Sequence, residues 1–68
     1  MPMALTLRQM RYFVTLADTG SFSAAAARVH VSQPALSIQI KEMEAHLGAP
    51  LVERLPRAIR LTRLGHEV

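Results

Sequence analysis

The sequence predicts one small, mainly α-helical domain that carries a short β-hairpin. Ten of the 68 residues are alanine and only three are aromatic, a composition that favours closely crossing helices over a broad sheet. Apolar residues recur at helical spacing over most of the chain and then give way to short apolar pieces. Because cysteine is missing, the core must come from helix packing, and 68 residues are too few for a multi-domain enzyme.

A first helix is predicted over residues 7–18. Thr6 followed by Gln9 has the spacing of a capping box, in which each side chain binds a backbone amide of the other residue. Gly20 supplies the stop, since glycine readily adopts the left-handed conformation that ends many helices. The apolar residues at helical spacing are Leu7, Met10, Phe13, Val14 and Ala17. This pattern predicts an amphipathic helix.

A short second helix is predicted over residues 23–30. Either Ser21 or Ser23 can cap it through a hydroxyl group. The side chains expected to face inward are those of Ala25, Ala26 and Val29. Because these side chains are small, another helix can cross this one at close range.

The third helix is predicted over residues 32–47. Ser32 is a good N-cap, Pro34 is tolerated in the first turn, and Gly48 ends the helix. The apolar residues that fall within a narrow arc are Leu36, Ile40, Met43 and Leu47. Since only a tight turn fits after His30, the second and third helices form a helix-turn-helix unit.

A small hairpin is predicted over residues 51–61. Its strands are the short apolar pieces Leu51-Val52 and Ile59-Arg60-Leu61. Thr62 is predicted to cap a further helix. Three helices followed by a hairpin make a mainly α winged helix-turn-helix, which we expect to span residues 1–68.

Positive charge is concentrated towards the C-terminal end. Residues 1–53 carry four basic and four acidic groups, so the last fifteen residues hold the whole net charge of +3. The basic residues of this segment are Arg54, Arg57, Arg60 and Arg63. A localised basic patch suggests a polyanionic partner, and an ordinary solvated surface is the alternative.

Within this architecture the start of the third helix is suited to contact DNA. A capped helix start presents backbone amides to phosphate, and its first polar residues can enter the major groove. Gln33 offers a donor and an acceptor that match the N6 and N7 edge of adenine, and Ser37 lies one turn further on the same side. Alternatively, both are ordinary solvent-facing residues.

The hairpin supplies cations beside this helix. Arg57, next to Pro56 at the tip, is predicted to reach the minor groove, whereas Arg54 and Arg60 are predicted to meet phosphate. Each arginine could equally be a solvated surface charge. Their clustering beside a helix-turn-helix favours the functional interpretation.

The face of the third helix opposite its apolar arc carries an isoleucine. At about 100° per residue, Ile38 points away from the core together with Pro34, Lys41 and Ala45. It is either a scattered surface residue, a contact to a neighbouring domain, or a contact to a thymine methyl group. We count Ile38 and Lys41 among the DNA-facing candidates.

The sequence indicates neither an enzyme nor a metal site. His30, His46 and His66 are too widely spaced for a local zinc signature, and Glu42 and Glu44 do not share a helix face. No apolar run approaches the ~18 residues that span a bilayer, and no secretory signal is visible. We expect a cytoplasmic protein that uses no cofactor and binds no membrane.

Four stretches together carry a family resemblance. They are Gly20–Ala26, Ser32-Gln33-Pro34-Ala35-Leu36-Ser37, Leu47–Arg54, and Leu61-Thr62 followed by Gly65. In combination they strongly resemble the LysR-type transcriptional regulators. The resemblance implies the sequence-specific DNA-binding domain of a bacterial transcription factor, with residues 32–47 as the recognition helix and 51–61 as the wing.

The resemblance also implies roles for individual positions. Ser32 matches a phosphate contact, and Arg57 matches the wing arginine. Gln33, Pro34 and Ser37 match base-facing positions.

The chain departs from the family pattern at two places. Val52 stands where many members have phenylalanine, and Ile38 stands where many have arginine. The first change places a smaller side chain in the core, and we expect its effect to be slight. The second alters the recognition helix directly.

LysR-type regulators continue through a long linker helix into an effector-binding domain. We expect the linker helix to begin at about residue 62 and the effector-binding domain to be absent from these 68 residues. A homodimer or tetramer is expected for the full-length regulator. The chain itself is expected to be mainly monomeric, because Leu64 and Val68 offer too little apolar area for a stable coiled coil.

The alternative function is a winged-helix protein-interaction module, whose arginines would bind acidic protein surfaces.

Overall fold

The computed structural model describes residues 6–67, so the predictions for Val68 lie outside the described residues. The elements, in chain order, are α1 (Leu7–Thr19), α2 (Phe22–Arg28), α3 (Gln33–Leu47), β1 (Val52–Arg54), β2 (Ile59–Leu61) and α4 (Arg63–Glu67). This arrangement is the mainly α winged helix-turn-helix that the sequence predicts.

The ends of α1 follow local side-chain chemistry. The Gln9 amide N–H donates to Thr6 Oγ1 at 3.0 Å, and the Thr6 N–H donates to Gln9 Oε1 at 3.3 Å, which confirms the capping box. Gly20 ends the helix with φ of 70°. A residue with a Cβ atom is strained at this φ, so glycine suits the position.

The helix α2 begins and ends earlier than predicted. Ser21 caps it by accepting from the Ala24 N–H at 3.2 Å, whereas Ser23 lies inside the helix. The predicted end at His30 was wrong, because His30 has φ of 62° and forms part of the turn to α3. Val29 is the C-terminal cap and is only half-buried.

The core lies between α1, α2 and α3 and is closed by the start of the hairpin. Its buried apolar residues are Phe13, Leu16, Phe22, Ala25, Ala26, Leu36, Ile40, Met43, Leu51 and Val52. Leu7 and Val14 belong to the apolar pattern of the first helix, yet they are 90% and 53% exposed. Helical spacing alone did not distinguish them from Leu16, which is completely buried.

A polar side chain inside this core connects α1 to α3. The buried Gln9 uses its Nε2 to donate to Gln39 Oε1 at 3.2 Å and to Glu42 Oε1 at 3.5 Å. A buried amide is costly unless it is hydrogen-bonded, so this contact favours one orientation of α3 relative to α1.

The hairpin is antiparallel, with Val52 opposite Leu61 and Arg54 opposite Ile59. Strand β1 begins at Val52, one residue later than predicted, and continues through polar residues that an apolar pattern could not reveal. Both ends of the hairpin are attached to helices. The Ile59 N–H donates to the Gly20 carbonyl at 2.9 Å, and the Leu51 N–H donates to Glu44 Oε2 at 2.9 Å.

The junction between the hairpin and α4 depends on a close backbone approach. Thr62 caps α4 by accepting from the Gly65 N–H at 3.1 Å, and its own hydroxyl donates to the Pro50 carbonyl at 2.7 Å. Gly65 is buried directly against the Leu51 carbonyl, and a Cβ atom at this position would overlap that oxygen. Glycine is therefore required for α4 to lie where it does.

Replacing Gly65 with alanine tests this close approach through the sign of its effect. At an open helical position the change would stabilise the fold by up to about 1 kcal/mol. Here we expect a loss of about 1–3 kcal/mol in the free energy of unfolding, because the methyl group forces α4 away from Leu51. Urea denaturation measures this change in the free energy of unfolding. The control is His66→Ala, an exposed site of the same helix; stabilisation by Gly65→Ala would contradict the packing described.

Candidate nucleic-acid interface

The two sides of α3 differ sharply in burial. Leu36, Ile40 and Met43 are completely or almost completely buried, as predicted. The opposite side is exposed, and its residues are Pro34, Ile38, Lys41 and Ala45. Leu47, predicted to continue the buried arc, is exposed near the end of the helix. One side of α3 is therefore exposed to solvent along its length.

The start of α3 is capped and exposed to solvent. Ser32 is exposed, and its hydroxyl accepts from the Ala35 N–H at 3.1 Å. Gln33 follows as the first helical residue, also exposed, and its Oε1 accepts from the Ser23 hydroxyl at 3.5 Å. Ser23 therefore supports a candidate base-reading side chain, although it does not cap α2.

The hairpin and the starts of α2 and α3 enclose an open cleft of about 280 Å³. Gln33, Arg54 and Arg57 all line this cleft. The structure thus brings together residues that are more than twenty positions apart in the sequence. A polar helix start and two cations that face one cleft are suited to a ligand that carries both negative charge and polar edges.

Arg54 also contacts both helices of the helix-turn-helix unit. One of its terminal N–H groups, at Nη2, donates to the Ser37 hydroxyl at 2.6 Å. Its guanidinium carbon lies 4.1 Å from the centroid of the Phe22 ring. A cation over an aromatic face is attracted by the electron-rich ring. Neither contact can be predicted from the sequence, because no local spacing reveals a pairing between a strand end and two helices.

The remaining cations of the hairpin have different surroundings. Arg57 is exposed in the turn between the strands, next to Pro56, as predicted. Arg60 projects from β2 opposite Glu53, and the two side chains form an exposed ion pair with 2.7 Å between Nη2 and Oε1. Arg60 does not line the cleft. Such exposed pairs contribute little to stability, but the carboxylate neutralises much of the charge that Arg60 offers.

Within the range 6–67 no cluster of three His, Cys, Asp or Glu side chains is positioned to hold a metal ion. In that part of the chain no helix combines the length and apolar character needed to cross a bilayer.

Comparison with known proteins identifies the family. The family model described as "Bacterial regulatory helix-turn-helix protein, lysR family" matches residues 7–66. The chain belongs to the LysR family. This LysR-family chain is 47% identical over 62 residues to the HTH-type transcriptional regulator TcbR of Pseudomonas sp. (strain P51), a match that covers 91% of the chain and 21% of TcbR.

A second relative is the RuBisCO operon transcriptional regulator of Allochromatium vinosum, 42% identical over 66 residues, 97% of the chain and 22% of that protein. The LysR-family chain thus spans about a fifth of the length of these relatives.

Solved structures of family members share the fold. The DNA-binding domain of CbnR in complex with DNA superposes with a TM-score of 0.89 at 46% identity, covering 93% of the chain and 72% of that domain. The complex of the BenM DNA-binding domain with catB site 1 DNA superposes with a TM-score of 0.88 at 41% identity. This match covers 93% of the chain and 70% of the BenM domain. Both similarities cover nearly the whole chain.

Proposed function

We propose that the chain is the sequence-specific, double-stranded DNA-binding domain of a bacterial LysR-type transcriptional regulator. One observation carries the proposal: Gln33 at the exposed start of α3 and two arginines of the hairpin, Arg54 and Arg57, line the same cleft. The fold is shared with relatives solved on DNA, which favours this function over a protein-interaction module. Such a domain catalyses no reaction, and we place it in the cytoplasm, where bacterial DNA lies.

In this proposal α3 lies in the major groove with its first turns towards the base edges. At the start of α3, Pro34 has no N–H and the Ala35 N–H is bound by the Ser32 hydroxyl. The Gln33 N–H and the positive end of the helix dipole are therefore what this end of α3 directs towards a phosphate. Gln33 pairs with the N6 and N7 edge of an adenine. Pro34, Ile38 and Lys41 follow along the exposed side, within reach of bases and backbone.

The hairpin acts as the wing. Arg57, exposed at the turn, reaches the adjacent minor groove, where a narrow A·T-rich segment concentrates negative potential. Arg54 and Arg60 lie closer to the body of the domain and meet phosphates. Arg60 exchanges its Glu53 partner for a phosphate, which makes its contribution smaller than that of an unpaired cation.

Assembly of the full-length regulator is part of the proposal. We propose a homodimer or tetramer whose linker helix begins at about residue 62, while the 68-residue chain is mainly monomeric. Leu64 packs partly against the core of its own domain, and the other side chains of α4 are polar. This leaves little apolar area for a second copy of the chain. A single DNA-binding domain also lacks the roughly 10²- to 10⁴-fold increase in affinity that two linked domains obtain.

Selection from a randomised duplex pool at low salt tests the function. We expect enrichment of particular sequences, with log affinity falling linearly with log salt at about −0.9 per neutralised phosphate. Electrophoretic mobility shift assays and fluorescence anisotropy measure both. Absence of enrichment, with binding only to acidic proteins, would favour the protein-interaction module instead.

Two matched arginine substitutions test the roles within the wing. Arg57→Ala should weaken binding and relax the preference for an A·T-rich minor groove, because its cation reads groove width. Arg60→Ala should weaken all sequences alike, and only slightly, because Glu53 already neutralises part of its charge. Anisotropy titrations on duplexes with A·T-rich or G·C-rich flanks separate the two effects. If both variants lose equal affinity for duplexes with A·T-rich and with G·C-rich flanks, Arg57 contacts phosphate rather than the minor groove.

The exposed Ile38 provides a test of base reading by α3. Its side chain is 55% exposed on the outward face, which suits contact with a thymine C5-methyl group. Replacing each thymine of a selected site by deoxyuridine removes only that methyl. At one position the replacement should weaken binding by roughly 0.8 kcal/mol. This loss should vanish in the Ile38→Ala variant. A site insensitive to every such replacement would leave Ile38 without a reading role.

A further inference from the structure

Arg54 joins three elements at one point. It ends β1, its guanidinium lies over the Phe22 ring of α2, and its Nη2 donates to the Ser37 hydroxyl of α3. Phe22 is buried, so the surface beneath the guanidinium is fixed by the core. A planar cation that stacks on a fixed ring and donates in the ring's neighbourhood has little freedom to leave. Two contacts, one to each of these helices, therefore place the exposed Arg54 guanidinium beside Ser37.

This contact determines what the Ser37 hydroxyl can offer a ligand. A serine hydroxyl has one proton to donate and two lone pairs that accept. The 2.6 Å bond from Arg54 uses one lone pair and places positive charge beside the oxygen. That charge repels a further donor and turns the O–H away from the guanidinium. Within residues 6–67 Ser37 Oγ takes part in this one side-chain hydrogen bond, as the acceptor, so its proton remains available.

We propose that Arg54 is a positioning residue that makes the Ser37 hydroxyl a directed hydrogen-bond donor to a base in the major groove. The proposal rests on the proposed DNA-binding function and adds a base preference to it. Guanine N7 and O6, adenine N7 and thymine O4 accept such a bond, whereas the cytosine N4 amino group only donates. Ser37 then selects an acceptor edge through Arg54, which itself need not touch the base.

The positioning role is compatible with a phosphate contact by the same side chain. A guanidinium carries five N–H donors, and the bond to Ser37 uses one of them. A phosphate contact alone, however, would change affinity and its salt dependence without changing which base atoms matter. The two roles therefore predict different effects of single-atom changes in the DNA.

The test is a single-atom scan of a duplex obtained by pool selection. Purines are replaced one at a time by their 7-deaza analogues, guanine by 6-thioguanine, and thymine by 4-thiothymine, so that each acceptor is removed or weakened in turn. Anisotropy titrations use the wild-type chain and the variants Ser37→Ala and Arg54→Met. Arg60→Met is the matched control, because it removes a hairpin cation that is paired with Glu53 rather than with α3.

We expect one acceptor whose loss weakens wild-type binding roughly three- to tenfold, the range of one neutral hydrogen bond. That penalty should vanish in Ser37→Ala and in Arg54→Met, and it should persist in Arg60→Met. Arg54→Lys, which retains a charged donor, should restore part of it. Far-UV circular dichroism checks that each variant folds. If Arg54→Met is unfolded, Arg54→Gln takes its place, because glutamine is shorter than arginine and the change removes the same bond.

Two results would overturn the inference. One is a full wild-type penalty at the same acceptor in Arg54→Met, which would show that Ser37 needs no help from Arg54. The other is a selectively bound duplex with no acceptor whose penalty depends on Ser37. Both differ from a failure of the proposed function, in which the pool selection itself yields no preferred duplex.

Discussion

The burial of one side of α3 is the constraint on which the rest of the molecule depends. Leu36, Ile40 and Met43 enter the core so completely that the helix cannot rotate without exposing them. At ~25 cal/mol per Å² of apolar surface, such a rotation is costly compared with the small stability of a domain this size. The position of Gln33, Ser37 and the exposed Ile38 follows from this burial.

Polar contacts then remove the remaining freedom of α3. Gln9 holds its middle from the side of α1, Glu44 attaches its C-terminal part to the start of the hairpin, and Arg54 connects its first turns to the end of β1. The hairpin has only three residues in each strand and could not be stable alone. It is ordered by its attachments to helices, and in return it carries the cations to the side of α3 where the helix start is exposed.

Most of the fold could be predicted because its signals are local. Capping residues such as Thr6 and Ser32 and the left-handed Gly48 mark helix ends through bonds within a few residues, and the structure confirms them. The errors arose where packing decides. Val14 has the right spacing to be buried but no neighbouring element covers it, and His30 leaves the helix because the chain must turn.

The candidate site could be predicted in its parts but not in its connections. The exposure of Ile38 and of Arg57 follows from helical geometry and from a place in a turn. The bond between Arg54 and Ser37 and the stacking on Phe22 join residues far apart in the sequence, and only the fold brings them together. The buried Gln9 shows the same limit, since a polar residue in a helical pattern is usually assigned to the surface.

We propose that the exposed side of α3 and the adjacent hairpin form one DNA-binding surface. Backbone amide chemical shifts, followed by ¹H–¹⁵N correlation spectra during titration with a selected duplex, test it most directly. We expect the largest changes to occur together, at a common DNA concentration, in residues 32–41 and 54–60. The exposed side of α1 around Val14 should be nearly unaffected. Large changes on α1 with an unperturbed α3 would show that DNA binds elsewhere on the domain.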